Sequence, residues 1–278
     1  MRDREEPGVR LIDYTRQIFI IAHRENTDPL VAVLQTQGFD CQVLRQAHRP
    51  EQADFSRSYL CLLNHRTAWQ WVLDQQQPAL ILEADFVPVK HFAQLPVPFN
   101  IYQPDLGLAW LYTCAAQVYD ISQDGHAQGY STSMVAYVLP PACVTHLLTF
   151  ADGIAQDPGP TAYTPWDSQL DELLLGQGLR NYIPFRNYGE HGSYNPNPEH
   201  QANGLSRTHR ADVLYGPLAF EPPYAQGLAG WKVRLYARLK GLVRLLVGRY
   251  VRPGVLRKAE VPLKILRFAL WRQLSLRL

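Results

Sequence analysis

The stretch "PALILEADFVPVK", Pro78 to Lys90, ends an apolar run in two carboxylates one residue apart, Glu83 and Asp85. On an extended chain, residues i and i+2 point to the same side, so the two acids address one position. Left alone they repel each other, and a hard divalent cation both removes the repulsion and takes oxygen ligands. The competing reading is a pair that caps the following turn, and the spacing alone leaves both open. His65 stands four residues before Trp69 on a helical stretch. It reads either as a histidine buried beneath a site or as a group touching a bound ligand. Arg207 and Arg210, in "GLSRTHRADVLYG", have the fork geometry that clamps a diphosphate; surface pairing with Asp212 is the alternative.

The elements that must hold these residues follow from hydrophobic pattern. "RQIFIIAH" is a continuous apolar run, as expected of a buried parallel strand. "NTDPLVAVLQTQGF" opens on Asn26, Thr27 and Asp28, puts Pro29 in the first turn, lines up Leu30, Val33 and Leu34, and closes at Gly38. "DCQVLRQ" reads as a strand, "SYLCLLNHRTAWQWVLDQQQ" as a helix, and "PALILEADF" as the next strand. This alternation predicts an α/β fold with parallel strands, whose ligands gather at the carboxyl ends of the strands. Glu83 and Asp85 stand at such an end. Further along, "MVAYVLPPACVTHLLTF" reads as strand, turn and helix, and "DSQLDELLLGQGL" as a helix. Residues 181–224, rich in Pro, Asn, Gly, His and Tyr, are expected to form a long binding loop.

With 278 residues, 46% of them hydrophobic, the chain can bury a sizeable core. The net charge of +2 points to no partner, but its distribution is uneven. Residues 228–278 carry thirteen Lys and Arg against one acid, Glu260, whereas residues 1–227 carry fourteen bases against 24 acids. Four well-separated cysteines without a CxxC motif suit structural thiols in a reducing compartment. "MRDREEPGVR" is charged and lacks the apolar stretch of a signal peptide. No apolar run approaches the roughly 18–20 residues that span a bilayer.

The segment "YLCLLNHRTAWQWVLDQQQPALILEADFVP" resembles glycosyltransferase family 25, the lipopolysaccharide-type and collagen-type sugar transferases. Cys61, His65, Trp69, Leu82, Glu83 and Asp85 match its pattern; Leu60, Asn64 and Ala84 replace its glycine, serine and middle acid. "STSMVAYVLPPACVTHLL" and "TPWDSQLDELL" resemble two later blocks, so the resemblance covers roughly residues 16–187. It implies an α/β fold of GT-A type, a mixed, mostly parallel sheet flanked by helices, spanning residues 1–227. It also implies a nucleotide-sugar donor, expected to be a UDP-hexose, with inverting transfer to an envelope or lipopolysaccharide-type glycan. Mn²⁺ or Mg²⁺ would be held by Asp85 with Glu83, and His191 is the candidate for a further, late histidine ligand. His23 and Arg24 end the first strand, where such proteins bind the nucleotide base; Glu83, Asp85 and His65 join them in the expected donor site. Asp167 is the first candidate for the base that deprotonates the acceptor, and Asp171 the second, with a helix N-cap as the alternative role for Asp167. His200 and His209 are weaker metal candidates. The rival functions are a non-catalytic sugar-nucleotide or glycan binder and a metal-dependent phosphohydrolase, which lacks here the dense His/Asp clusters of two-metal sites.

The remaining segment, 228–278, is expected to be a basic helical tail. "WKVRLYARLKGLVRLLVGRY" sets Trp231, Leu235, Leu239, Leu242 and Leu246 along one stripe, with Lys240 and Arg244 opposite and Lys232 and Arg249 at its edges. Pro253 and Pro262 interrupt the run before "LKILRFALWRQLSLRL". Basic helices rich in Trp and Leu lie on anionic membrane surfaces, which predicts a cytoplasmic protein peripheral to the inner face of a membrane. A protein partner is the rival, and the Leu and Val content argues against nucleic acid.

Overall fold

Alternate side chains of the strand Gln17–Ala22 divide between two apolar layers. Phe19 and Ile21 enter one, Ile18 and Ile20 the other. A strand covered on both faces needs apolar residues at every position, which is why "IFIIA" shows no alternation. The computed structural model describes residues 8–47, 49–193, 209–225 and 228–275. In chain order the elements are α1 (Leu11–Tyr14), β1 (Gln17–Ala22), α2 (Asp28–Thr36), β2 (Asp40–Arg45), α3 (Arg57–Gln75), β3 (Ala79–Glu83), β4 (Phe86–Pro88), β5 (Leu106–Trp110), β6 (Gln117–Ile121), β7 (Ala127–Tyr130) and β8 (Ala136–Leu139). They continue with α4 (Val144–Gln156), α5 (Leu170–Gly176), β9 (Arg180–Ile183), β10 (Gly189–His191), α6 (Leu228–Leu246), α7 (Pro253–Lys258) and α8 (Pro262–Leu274).

Eight strands form one sheet in the order β2-β1-β3-β8-β5-β9-β7-β6, and β4 pairs with β10 in a small second sheet. β1 runs parallel to β2 and β3, and β5 to β9. The other four pairings of the large sheet are antiparallel. The fold is therefore α/β with a mixed sheet, and the expected predominance of parallel strands is corrected. The reason lies in the connections. Parallel neighbours need a long crossover, usually a helix, whereas antiparallel neighbours do not. Helices intervene between β1 and β2, between β2 and β3, and between β8 and β9; none separates β5 from β8. The hairpin β6–β7 turns at Asp124-Gly125, where Gly125 has φ +87°, a backbone region that costs glycine nothing. The expected loop at 181–224 is also corrected, since it contains most of β9 and all of β10. Their short, polar sequences carry no strand signal of their own.

One apolar layer packs Leu62, Trp69 and Val72 of α3, Leu147 and Ala151 of α4, and Leu174 of α5 against the sheet. The other gathers Leu30 and Leu34 of α2 with Phe86, Phe92 and Tyr188. Each fully buried large apolar side chain contributes roughly 1.5–3 kcal/mol. Packing runs across the change of composition at 227/228: Tyr250, Val251, Ile265 and Ala269 belong to the first layer. Pro253 and Pro262 stand in the first turns of α7 and α8, where the missing N–H leaves no hydrogen bond unmade.

Candidate metal centre

β3 delivers its acids to the sheet edge in a fixed register. Ile21 of β1 lies opposite Glu83, the Glu83 N–H donates to Val135 O at 2.8 Å, and Ala84 N–H donates to Ile21 O at 2.8 Å. Strand alternation puts Ile81 in the α3-side layer, and Glu83 follows it, 3.9 Å from His65 Nε2. Ala84 packs against the opposite layer. Asp85 leaves the strand: Ala84 and Asp85 form a turn, and β4 begins at Phe86. The two acids thus converge through a turn rather than through an extended i, i+2 pair.

His191 arrives from more than a hundred residues away because β10 pairs with β4. The register sets His191 against Phe86, and the Gly192 N–H donates to Asp85 O at 2.7 Å. A Cβ on Gly192 would come within 2.8 Å of Val87 Cγ2 and 2.9 Å of Asp85 O, so only glycine permits this approach. His191 Nε2 then lies 3.0 Å from Asp85 Oδ2. Glu83, Asp85 and His191 each offer a ligand atom, all within 4.8 Å of one another.

The donor set suits a hard divalent ion: two carboxylates and one imidazole, with side-chain exposures of 28%, 23% and 16% that leave the cluster reachable. Asp85 Oδ1 is buried and accepts no hydrogen bond. A bare, buried acceptor is costly, and a cation would satisfy it. Burial by itself would push the Asp85 carboxyl up, but His191 beside it holds it below the ordinary carboxylate range. Burial would likewise push His191 down, and Asp85, with Glu83 adding, lifts it above its ordinary value. Cys61, His65 and Glu83 form a second convergence. Its thiol would suit a softer ion; His65 Nδ1 lies 2.9 Å from Tyr137 Oη, and its Nε2, buried without a hydrogen bond, faces Glu83.

His65 is fully buried, so it reaches Glu83 from beneath rather than from the open side. Trp69 Nε1 donates to Tyr137 Oη at 2.8 Å. Tyr137 Oη in turn lies 2.9 Å from His65 Nδ1, and Nε2 of the same ring faces Glu83 at 3.9 Å. Trp69, Tyr137 and His65 form a buried chain of polar contacts beneath Glu83. Sequence reading found the two ends of this chain and missed Tyr137, which lies in a strand of otherwise apolar residues.

Asp167 and Asp171 part company. The ring of Trp166 packs edge-on against His65 at 5.1 Å and Trp69 at 6.1 Å, and thereby fixes the turn that carries Asp167. Burial, with the Glu83 charge adding, pushes the Asp167 carboxyl up to about 6. Its Oδ1 accepts only a local bond, from Ser168 N at 2.9 Å, and the N-cap position of α5 belongs to Gln169. Asp171 instead accepts from Asn181 Nδ2 at 2.8 Å and Tyr119 Oη at 3.3 Å. Burial raises it to about 6 as well, against those bonds.

His23 and Arg24 are exposed just beyond β1, at the edge where Glu83 stands. Arg210 is not paired with Asp212; its nitrogens donate to His191 O at 2.6 Å, Ser193 O at 2.7 Å and His209 O at 3.0 Å, and its guanidinium covers Tyr224 at 4.0 Å. It buttresses the segment that carries His191, and Asp212 pairs with Arg272. His209 Nδ1 lies 2.6 Å from Cys114 Sγ. Arg207 and His200 lie outside the described residues. Sequence reading also missed Glu190 and Arg234. Glu190 is buried and its Oε1 accepts from Ala211 N at 2.8 Å and His191 N at 3.0 Å. Arg234 of α6 pairs with Glu190 and donates to Ala211 O at 2.8 Å. The C-terminal helices therefore brace the strand that presents His191.

No family model and no curated protein matches the sequence. Among solved structures, the chain is similar to a glycosyltransferase involved in the glycosylation of the major capsid of PBCV-1. The identity is 8% and the TM-score 0.39, over 60% of this chain and 80% of that one. It is also similar to a mutant Drosophila beta-1,4-galactosyltransferase 7 complexed with manganese, UDP-Gal and xylobiose. There the identity is 14% and the TM-score 0.31, over 60% of this chain and 65% of that one. Similarity at this level leaves the chemistry to be argued from the side chains themselves.

Proposed function

We propose that the chain is a metal-dependent glycosyltransferase of GT-A type, related to family 25, which moves a hexose from a UDP-sugar to a lipid-linked or envelope glycan with inversion. The observation that carries this reading is the convergence of Glu83, Asp85 and His191 at the sheet edge, with one buried carboxylate oxygen bare and a separate acid, Asp167, electrostatically linked to Glu83. Mn²⁺ or Mg²⁺ held by these three would neutralise the charge that develops on a departing diphosphate. The residues do the rest. His23 and Arg24, beyond β1, stand where a nucleotide base would rest. Asp167 accepts the proton of the acceptor hydroxyl as its oxygen attacks the anomeric carbon, and the bond to the diphosphate breaks with its electron pair leaving on that group. A carboxyl near 6 is ionised at neutral pH yet basic enough to take a proton. Asp171, tied to Asn181 and Tyr119, supports the sheet instead. The inward packing of Ala84 favours turnover over mere binding, because an acid at that position would face the apolar layer rather than the ligand.

The test is donor turnover over a panel of nucleotide sugars with and without Mn²⁺. Asp167→Asn is expected to lower kcat by about 10²–10⁴-fold while leaving Mn²⁺ binding intact. Binding of a donor without turnover in the wild type would favour the non-catalytic reading, and no binding of any donor would remove the proposal.

A further inference from the structure

α6 is turned the wrong way round for a helix that faces water. Its polar side faces the body of the protein. Arg234 reaches buried Glu190, Arg238 donates to Gln273 O and to Ser275 O at 3.2 Å, and Arg244 donates to Ala116 O at 3.3 Å. Ala237 and Gly241 are buried between them, and a Cβ on Gly241 would come within 2.7 Å of Asp212 Cβ. The apolar side is left outside: Trp231 is 66% exposed and Leu246 84%, with Leu235, Leu239 and Val243 between them. α8, joined to α6 through Arg238 and Gln273, has a mixed inner side and also leaves large apolar side chains outside. It buries Ile265, Ala269, Arg272 and Gln273 and exposes Leu263, Leu266, Leu270, Trp271 and Leu274. Of fifteen large apolar side chains exposed among the described residues, twelve lie in 228–275. An apolar exposed surface of this kind marks an interaction site.

The charge around it selects the partner. Among the described residues of 228–275, seven exposed Lys and Arg side chains, among them Arg252, Lys258, Lys264 and Arg267, accompany a single exposed acid, Glu260. A second copy docking on the same region would bring like charges together. Neither helix is long and apolar enough to cross a membrane. Trp and Leu projecting among Lys and Arg match the interface of an anionic bilayer, where apolar groups sink below the headgroups and the cations meet lipid phosphates. We infer that α6 and α8 form a composite face that seats the protein on an anionic lipid surface, with Trp231 and Trp271 as its buried anchors. This rests on the packing of the C-terminal helices and not on the sugar-transfer reading.

The test uses the full chain and needs neither donor nor metal, so its outcome is independent of that reading. Flotation is measured with vesicles of phosphatidylcholine alone and with vesicles that also contain phosphatidylglycerol. The expected result is binding to the anionic vesicles, weakened by salt, with tryptophan fluorescence quenched by brominated acyl chains. Leu239→Glu with Leu246→Glu should abolish flotation, and Lys264→Ser or Arg267→Ser should each weaken it roughly fivefold. All four side chains are exposed, so unchanged circular dichroism and melting will show that the variants fold. Failure of the wild type to float with anionic vesicles would overturn the inference, as would variants that float equally well. A wild-type dimer that Leu239→Glu dissociates, without flotation, would assign the face to a second copy and overturn it too.

Discussion

Asp212 and Asp85 are both enclosed carboxylates near the segment that carries His191, and the protein treats them in opposite ways. Asp212 accepts from Arg272 Nη2 at 2.7 Å and also from Nη1, from Gln273 Nε2 at 2.6 Å, from Asn187 Nδ2 at 3.2 Å and from Val213 N at 2.9 Å. Burial would raise it, and Arg272 overrides burial and holds it at about 2. Asp85 has one partner on Oδ2, His191, and nothing on Oδ1. A saturated acid fastens structure: here it ties α8 to Asn187, just before β10. An unsaturated acid beside another acid and an imidazole is poised for a ligand from outside. Glu190 belongs with Asp212, since its two oxygens are spoken for and its job is to hold β10.

The contrast can be broken most forcefully from the saturated side. Arg272→Ala strands Asp212 with a buried charge, and an expected loss of about 3–5 kcal/mol should show in thermal melts, with the Mn²⁺-induced stabilisation unaltered in any fraction that folds. The unsaturated side should respond the other way. Asp85→Ala should cost little metal-free stability, yet erase the stabilisation by Mn²⁺, which for a single site at a hundred times Kd is about 2.7 kcal/mol. If Asp85→Ala destabilises as strongly as Arg272→Ala, the distinction fails. Gly192→Ala sharpens the point by leaving every candidate ligand in place and disturbing only their approach. Roughly tenfold weaker Mn²⁺ binding is expected by calorimetry, as for second-layer disturbances of metal sites.

The smallest expected effect is on pH dependence, where the signs differ. Asp212, depressed to about 2, contributes stability that is present above its ordinary carboxylate range and lost as pH falls through 2. Asp171, raised to about 6, contributes stability only below that ordinary range, and loses it as pH rises through 6. Asp171→Asn, which keeps an acceptor for Asn181 and Tyr119, should therefore melt slightly higher than wild type at pH 8 and no higher at pH 4. A variant that gains nothing at pH 8 would show that Asp171 is not held out of its ordinary range.

How much of this could be read in advance differs by residue. Glu83 and Asp85 announced themselves because an apolar strand that ends in acids is a local pattern, although strand alternation fixes the side of Glu83 alone and a turn brings Asp85 to it. Trp69 and His65 were equally legible as one helical turn. Tyr137 and Glu190 were not, since a tyrosine in an apolar strand and a glutamate in a Gly-rich stretch carry no mark of the partners that give them work. Part of the strand pairing stayed hidden for a similar reason: "RNYI" in the large sheet and "GEH" in the small one are too short and too polar to signal themselves, and are stabilised by neighbours already in place.

The sequence by itself determined the α/β alternation, the acids at the end of β3, the prolines that interrupt the basic segment, and the division of α6 into a basic and an apolar side. These are statements about residues a few positions apart, and strand and helix periods convert spacing directly into direction. Tertiary structure alone decided that His191 meets Asp85, that Asp167 and not Asp171 lies electrostatically beside Glu83, that Arg210 serves the backbone, and that α6 turns its arginines inward. Periodicity says which side chains share a face. Which face is buried depends on partners supplied by distant segments, here Glu190 and Gln273, whose pairing with Arg234 and Arg238 draws the basic side in and leaves the apolar side exposed.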